Sequence, residues 1–308
     1  MFNIPLSMLI APKAATNAVA RDYQHIEVKP YASALGAEIF GVDLANLSQE
    51  QIQEIKGALA DHSVVFFREQ DLSVEDQERF SLQFGDFGYD PFVDGIEGHP
   101  NVLRLVKEAD EKTGAVFGGV WHTDWSFQEA PPSYTILVGK DIPPYGGDTL
   151  FASLTNAYDS LSPAMKKICE SLKLVHSAKK GYDDQMAGVY SAVLENMKVK
   201  TGTEDAKSSK LHPLVTVHPD SGKKVLFLGG VYSIAIEGMH FDESEALLGY
   251  LQEKVVQDPL NLCRFRWENG SVAMWDNRCT QHYPMADYKG MRREMQRTII
   301  AGQPPVGV

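Results

Sequence analysis

Two histidines and one aspartate in this chain have the types and spacing of a metal site. His122 and Asp124 are two residues apart, and His282 lies far downstream. Side chains at i and i+2 of a β-strand point to the same face, so His122 and Asp124 on a strand would reach one ion together. Two imidazoles and a carboxylate on one octahedral face, with open positions beside them, are typical of iron(II) oxygenases. The pattern therefore predicts an iron(II) centre that uses dioxygen.

The His-x-acid pattern alone is weak evidence, because the chain has nine histidines and 41 acidic residues. It recurs at three further places: His25-Glu27, His218-Asp220 and His240-Asp242. Pro, Asp, Ser and Gly follow His218 in order, which predicts a hairpin turn there. Asp242 is predicted to cap a helix, with Glu245 completing a capping box. The neighbours of His122 offer no turn or capping role, so metal binding is the interpretation kept for His122.

Five ordered motifs extend the pattern beyond these ligands. They are Trp121-His122-Thr123-Asp124, Gly146-Gly147-Asp148-Thr149, Trp275-Asp276-Asn277-Arg278, Gln281-His282-Tyr283 and Arg293 with Arg297. In order and spacing they resemble the taurine dioxygenase and 2,4-D dioxygenase family of iron(II)/2-oxoglutarate oxygenases. The resemblance covers nearly the whole chain from about Ile26 onward. It implies a double-stranded β-helix, or jelly roll, and a requirement for iron(II), 2-oxoglutarate and dioxygen.

Carried onto this sequence, the resemblance implies that His122, Asp124 and His282 bind iron(II). It also implies that Arg293 and the Thr149 hydroxyl bind the distal carboxylate of 2-oxoglutarate. A guanidinium suits that role, because its planar fork binds a carboxylate in a bidentate manner and stays charged when partly buried. The alternatives are a solvated basic surface for the arginine and an ordinary strand position for Thr149.

The substrate pocket is expected to lie beside Arg297. By resemblance, this arginine faces the metal and pairs with an acidic group of the prime substrate, or supports the inner carboxylate of 2-oxoglutarate. Trp125 and Phe127 are expected to make part of the pocket apolar, and Asp90 would favour a substrate with an amine. Residues 85–98 contain no histidine, whereas the taurine-cleaving members have one in these loops, which counts against taurine itself. The expected substrate is a small organic acid with a sulfonate, sulfate or carboxylate facing Arg297.

The implied reaction is hydroxylation of that acid, with release of succinate and carbon dioxide from 2-oxoglutarate. Where the hydroxylated carbon carries oxygen or sulfur, the product collapses and the C–O or C–S bond is cleaved. Three alternatives stay open. They are a desaturase or ring-forming oxidase with the same cofactors, a non-oxidative metal-dependent barrel enzyme, and a binding protein that keeps the site without turnover.

The composition agrees with a globular enzyme of 308 residues, 44% hydrophobic and 23% charged. A net charge of −12 disfavours a nucleic-acid partner, because such partners are bound through clustered Lys and Arg. No apolar run approaches the roughly 20 residues that span a bilayer, so no membrane partner is expected. The three cysteines show no pairing motif, which predicts a reducing, cytoplasmic location. Residues 1–24 are expected to form a flexible N-terminal arm.

Alternating short strands with a few helices predict an α+β chain with a mainly β core. Ser48 with Gln51, and Ser73 with Asp76, are predicted to begin helices, and Val64-Val65-Phe66-Phe67 a buried strand. Residues 85–119 are expected to be long loops, and the polar stretch 179–210 a lid over the site or a surface insertion without a catalytic part. Residues 25–308 then form a single dioxygenase domain. By resemblance, a homo-oligomer is expected.

Overall fold

The computed structural model describes residues 21–194 and 196–308. The strands, numbered in chain order, are β1 Glu27–Pro30, β2 Ala37–Phe40, β3 Val64–Phe67, β4 Leu103–Lys107, β5 Tyr134–Asp141, β6 Thr149–Ser153, β7 Lys173–Ser177, β8 Ser209–Pro213, β9 Val215–Val217, β10 Lys224–Leu226, β11 Ser233–Ile236, β12 Leu262–Phe265, β13 Val272–Asp276, β14 Thr280–Pro284 and β15 Arg293–Ile300. The α-helices are α1 Gln49–His62, α2 Val74–Leu82, α3 Leu154–Ser160, α4 Pro163–Cys169, α5 Lys179–Tyr182, α6 Ala187–Val193, α7 Glu204–Lys207 and α8 Phe241–Val256.

Two sheets face each other across the core that carries the candidate site. The larger sheet has the strand order β1-β2-β3-β13-β5-β15-β4, and the smaller one has the order β12-β6-β14. Phe66 of β3 stacks on Phe265 of β12 with ring centroids 4.0 Å apart, and Phe151 of β6 contacts the Trp275 ring of β13. This apolar layer holds the two sheets together. The predicted α+β fold with a mainly β core, a jelly roll with flanking helices, is confirmed.

Strand β13 shows how the alternation of side chains builds both faces of the large sheet. Ala273 and Trp275 point toward the small sheet, whereas Val272 and Met274 pack in a second core with Ile55 of α1 and other helical residues. All five residues of β13 are buried, because helices cover one face and the second sheet covers the other. The helices thus shield the outer face of the sheet whose inner face carries the site.

Several local predictions are confirmed. Helices α1 and α2 begin at the predicted capping boxes of Ser48 with Gln51 and Ser73 with Asp76. β3 is buried along its whole length, and the predicted turn after His218 connects β9 to β10 as an antiparallel hairpin. These elements are set by contacts within a few residues, which makes them readable from the sequence.

Three local predictions are wrong. His122 and Asp124 do not lie on a strand, because His122 forms only isolated β-bridges, with His282 and with Gly230. Helix α8 has His240 as its N-cap, with the Glu243 carboxylate accepting from the His240 backbone N–H, so Asp242 lies in the first turn and Glu245 completes no box. Residues 85–119 are not only loops, since they include β4, the edge strand paired with β15.

The expected terminal arm falls mostly outside the described residues, because the structure describes none of residues 1–20. Residues 21–24 lie against α1, where Arg21 and Tyr23 both contact Asp61. Within residues 21–194 and 196–308, no helix is long and apolar enough to cross a bilayer. All three cysteines are free and buried.

Candidate active site

His122, Asp124 and His282 converge in the core despite their separation in the chain. The His122 Nε2 atom lies 3.4 Å from Asp124 Oδ1, and the His282 Nε2 atom lies 4.0 Å from the same oxygen. The two imidazole rings have centroids 4.2 Å apart. One ligand atom from each residue lies within 4.8 Å of the others, and all three residues are buried. The fold therefore brings together the three side chains that were predicted from the sequence to bind a metal.

Backbone pairing, rather than a regular strand, fixes the two histidines. The His122 N–H donates to the His282 carbonyl at 3.1 Å, and the His282 N–H donates back to the His122 carbonyl at 2.9 Å. The Nδ1 atom of His122 lies 2.7 Å from the Val120 carbonyl, so Nδ1 carries the proton and donates. Its Nε2 lone pair is then free on the side of Asp124, as metal-binding imidazoles require.

Asp124 is held through one carboxylate oxygen and leaves the other without a hydrogen bond. Its Oδ2 accepts from the Thr135 hydroxyl at 2.7 Å, and that hydroxyl accepts from the Asn277 amide at 2.9 Å. Oδ1 is fully buried and has no hydrogen-bond donor in the described part of the chain. A buried carboxylate oxygen without a hydrogen bond is costly. A cation placed between Oδ1 and the two Nε2 atoms would satisfy all three, so this donor set fits a divalent metal.

The protonation states of His282 and Asp124 also suit metal binding. Burial and the neighbouring His122 lower the pKa of His282 to about 3, which keeps its imidazole neutral. Burial by itself would raise the pKa of Asp124, but electrostatic interactions with the His282 imidazole and the Arg297 guanidinium outweigh burial and hold that pKa well below its usual range. An ionised carboxylate beside neutral imidazole is the ligand form of both groups.

Arg293 lies on β15 as a buried cation, and no carboxylate of the described residues pairs with it. Its Nη2 donates to the Gly147 carbonyl at 3.1 Å, and its Nε has no partner among the described residues. The nearby acid Asp148 pairs instead with Arg264. Burial lowers the pKa of Arg293, and the opposing effects of Tyr288 and Asp148 do not offset burial. The Thr149 hydroxyl, which accepts from the Trp267 indole at 2.9 Å, lines the same cavity as Arg293.

Arg297 lies four residues further along β15 on the same face, and its guanidinium lies beside carboxylates. Its Nη2 is 2.5 Å from Asp90 Oδ2, and its Nη1 is 3.6 Å from Asp124 Oδ1. These two carboxylates outweigh burial and raise the pKa of Arg297. The guanidinium carbon also lies 5.3 Å from the Trp125 ring centroid. Arg297 thus connects the predicted metal ligands to the predicted substrate residues.

A cavity of about 70 Å³ joins most of these groups. Five predicted site residues line it: His122, Thr149, His282, Arg293 and Arg297. Trp125 and Phe127 are not in its lining, because they are buried in an aromatic cluster with Phe92. Asp90 is also outside the lining and reaches the site only through Arg297. The cavity is therefore mainly the metal and cosubstrate end of the site.

Sequence reasoning missed several residues of this site. The cavity is also lined by Lys107 and Glu111, a buried ion pair at 2.9 Å, by Phe117 from the same long connection, and by Leu194 and Met197. A lysine and a glutamate four residues apart gave a weak signal, since this spacing is common on exposed helices. The others come from irregular segments, whose placement depends on distant contacts.

A much larger cavity, about 660 Å³, lies elsewhere in the described part of the chain. Its walls include Phe84, Tyr134, His218 and residues 301–306, and none of the predicted site residues. The size of a cavity alone therefore does not locate the candidate chemistry in this protein.

This chain is similar to known proteins over most of its length. The profile of the "Taurine catabolism dioxygenase TauD, TfdA family" matches residues 27–299. The alkylsulfatase of Acinetobacter baylyi is 36% identical over 95% of this chain and 90% of its own length. The alpha-ketoglutarate-dependent sulfate ester dioxygenase of Pseudomonas putida is 36% identical over 96% of this chain and 95% of its own.

A solved structure extends the likeness from sequence to fold. The crystal structure of a taurine dioxygenase from Burkholderia xenovorans superposes with a TM-score of 0.76, at 36% identity, over 92% of each chain. The family profile covers nearly the whole described chain, and it includes every residue of the candidate site. The chain belongs to the TauD, TfdA family of dioxygenases.

Proposed function

We propose that His122, Asp124 and His282 bind iron(II), and that Arg293 with Thr149 binds the distal carboxylate of 2-oxoglutarate. As a member of its family, the protein is an iron(II)- and 2-oxoglutarate-dependent dioxygenase, an oxidoreductase that releases succinate and carbon dioxide. The observation that carries the residue assignment is the buried Oδ1 of Asp124, which faces two Nε2 atoms and has no donor in the described chain.

The side chains of the site have separate tasks in this proposal. When bound, iron(II) supplies a centre at which 2-oxoglutarate and dioxygen can coordinate. His122 and His282 offer neutral nitrogen ligands, and Asp124 supplies one negative charge. Arg293 offers the uncompensated positive charge that a dicarboxylate needs at its far end, and the Thr149 hydroxyl can donate beside it. These groups would hold and orient the cosubstrate.

The prime substrate is a small organic acid, such as a sulfonate, a sulfate ester or a carboxylate. The names of the two relatives support this class, since one acts on sulfate esters and the other is an alkylsulfatase. Hydroxylation of the carbon that bears the sulfate oxygen would give an unstable product. That product collapses to an aldehyde and inorganic sulfate, with cleavage of the C–O bond. Arg297 is the proposed partner of the acid group.

Residues 179–210 form the proposed lid. They contain α5, α6 and α7, and Leu194 and Met197 from this segment line the cavity. The Asn196 amide donates to Glu111 across the opening at 2.8 Å. The cavity volume of about 70 Å³ is far below the roughly 300 Å³ typical of small-molecule sites. The lid must therefore move to admit both substrates. A cytoplasmic location and a homo-oligomeric state remain predictions.

Succinate release tests the proposed function. The protein is reconstituted anaerobically with iron(II) and 2-oxoglutarate, and then exposed to oxygen with a panel of alkyl sulfates, sulfonates and carboxylates. Oxygen-dependent succinate is expected, with a product heavier by one oxygen or cleaved at the heteroatom. A product lighter by two hydrogens would indicate a desaturase or ring-forming oxidase. Metal-dependent turnover without consumption of oxygen or 2-oxoglutarate would contradict the proposal.

A further inference from the structure

The two arginines of the site differ in how far the chain already balances their charges. Arg293 and Arg297 lie four residues apart on β15, on the same face, and both line the cavity. Arg293 donates to a backbone carbonyl, and its Nε, like that of Arg297, has no partner among the described residues. Arg297 contacts the carboxylates of Asp90 and Asp124. An entering anion would therefore find that the Arg293 guanidinium pairs with no carboxylate of the described residues, whereas the Arg297 guanidinium already lies beside two.

Asp90 is fixed in the position that faces Arg297. Its Oδ1 accepts from the backbone N–H groups of Phe92 and Val93, both at 2.9 Å, while its Oδ2 contacts Arg297. The side chains of Asp90 and Arg297 are each only 5% exposed. Water therefore screens this pair poorly, and the carboxylate cannot turn away without losing two hydrogen bonds.

A metal bound at the triad would leave Arg297 paired with Asp90. A divalent cation at the triad would engage Asp124, and this removes one of the two negative charges from the surroundings of Arg297. Asp90 would not be engaged by the metal, because it belongs to the loop before β4 and is not part of the triad. The positive charge of Arg297 would then still be balanced by the negative charge of Asp90. The acid group of a prime substrate would meet a like charge beside the guanidinium it needs.

We propose that Asp90 is a specificity-determining residue that competes with the acid group of the prime substrate for Arg297. This inference rests on the proposed function, because it takes Arg297 as the partner of that acid group. This competition lowers the affinity of the site for the acid group without the rest of the substrate. A good substrate must therefore gain binding from its apolar part, for which Phe117, Leu194 and Met197 offer contacts in the cavity. The selected class is an organic acid with an alkyl or aryl portion.

The test compares anion binding by the wild type and Asp90→Asn. Asparagine keeps an oxygen for the two backbone N–H groups, and it removes both the charge and the acceptor atom that face Arg297. Both proteins are loaded anaerobically with iron(II) and 2-oxoglutarate, and ethanesulfonate is titrated by calorimetry. Asp90→Asn is expected to bind ethanesulfonate at least about tenfold more tightly, because the like charge beside the bound anion is removed. Adding Arg297→Gln to this variant should abolish the gain.

The matched control is Asp86→Asn, which removes the same charge from an exposed position four residues earlier and should leave the affinity at the wild-type value. Equal or weaker binding by Asp90→Asn, or no detectable binding by either protein, would overturn the proposal, and weaker binding would assign Asp90 to holding Arg297 in place. The visible absorption of the iron–2-oxoglutarate chelate is recorded in each sample. Loss of that absorption in the wild type counts against the proposed function, whereas an unchanged affinity with intact absorption counts against the role of Asp90 alone.

Discussion

The Thr135 hydroxyl donates to Asp124 Oδ2 at 2.7 Å and so decides which carboxylate oxygen faces the two histidines. Thr135 lies on β5 in the middle of the large sheet and is fully buried. Its own oxygen accepts from Asn277, whose Oδ1 accepts from the Trp275 indole at 3.0 Å. The predicted metal ligand is therefore oriented by a chain of hydrogen bonds anchored in the sheet.

Thr135→Val is expected to weaken iron(II) binding about ten- to a hundredfold, the usual effect of removing an outer partner of a metal ligand. Valine keeps the shape but leaves Asp124 Oδ2 without a donor. The measurement is an anaerobic iron(II) titration that follows the chelate absorption. Thr135→Ser, which retains the hydroxyl, should bind iron(II) nearly as the wild type does. Equal affinity in all three proteins would show that this hydrogen bond does not orient the ligand.

Arg293→Ala should raise the 2-oxoglutarate concentration needed for half-maximal chelate absorption about ten- to a hundredfold, because the distal carboxylate loses its charged donor. Arg293→Lys keeps the charge without the planar fork and should fall between the alanine variant and the wild type. Iron(II) affinity without 2-oxoglutarate serves as the control and should not change. An unaltered 2-oxoglutarate requirement in Arg293→Ala would move the anchor to another residue.

The buried pair of His218 and Asp276 is expected to make the folded state less stable at alkaline pH. Burial disfavours the charged form of His218, but the contacts with Asp276 and Cys279 outweigh burial and raise its pKa to about 10. A group whose pKa is raised on folding stabilises the folded state fully below its unfolded pKa, near 6.5, and loses that contribution as pH approaches 10. The free energy of unfolding from urea titrations should fall between pH 6.5 and 10 more steeply in the wild type than in His218→Gln. Parallel pH profiles would contradict the prediction.

Asn196→Ala should speed the dissociation of 2-oxoglutarate if residues 179–210 act as a lid. The variant removes the contact between this segment and Glu111, a hydrogen bond to a charged group, so an acceleration of about tenfold is expected. Stopped-flow decay of the chelate absorption measures the rate. Lys198→Ala, an exposed change two residues away, is the control and should behave as the wild type. Identical rates in all three proteins would leave the segment without a covering role.

Local sequence signals predicted the parts of this fold that local contacts determine. The capping boxes at Ser48 and Ser73, the buried run of β3 and the hairpin after His218 each depend on residues close in the chain. The cap of α8 was misplaced because Asp242, Glu243 and Glu245 are all plausible partners by type. Only the docking of the helix shows that Glu243 is used.

The candidate site was predicted only in part, for a related reason. The triad was found because metal chemistry restricts ligands to few residue types, although the strand invoked for His122 is only a pair of bridges. The contact of Asp90 with Arg297 joins residues 207 positions apart, and an aspartate in a loop carries no sign of its partner. The edge strand β4 was missed because its pairing with β15 is equally distant in sequence.

The most direct test of the central claim is iron stoichiometry in the triad variants. Wild-type protein and His122→Ala, Asp124→Ala and His282→Ala are each reconstituted anaerobically with iron(II) and 2-oxoglutarate. Bound iron per chain and the visible chelate absorption are then measured. His25→Ala, which removes an exposed imidazole, is the control. We expect one iron per chain with absorption in the wild type and the control, and loss of both in the triad variants. Full iron content with unchanged absorption in any triad variant would contradict the assignment of that residue as a ligand.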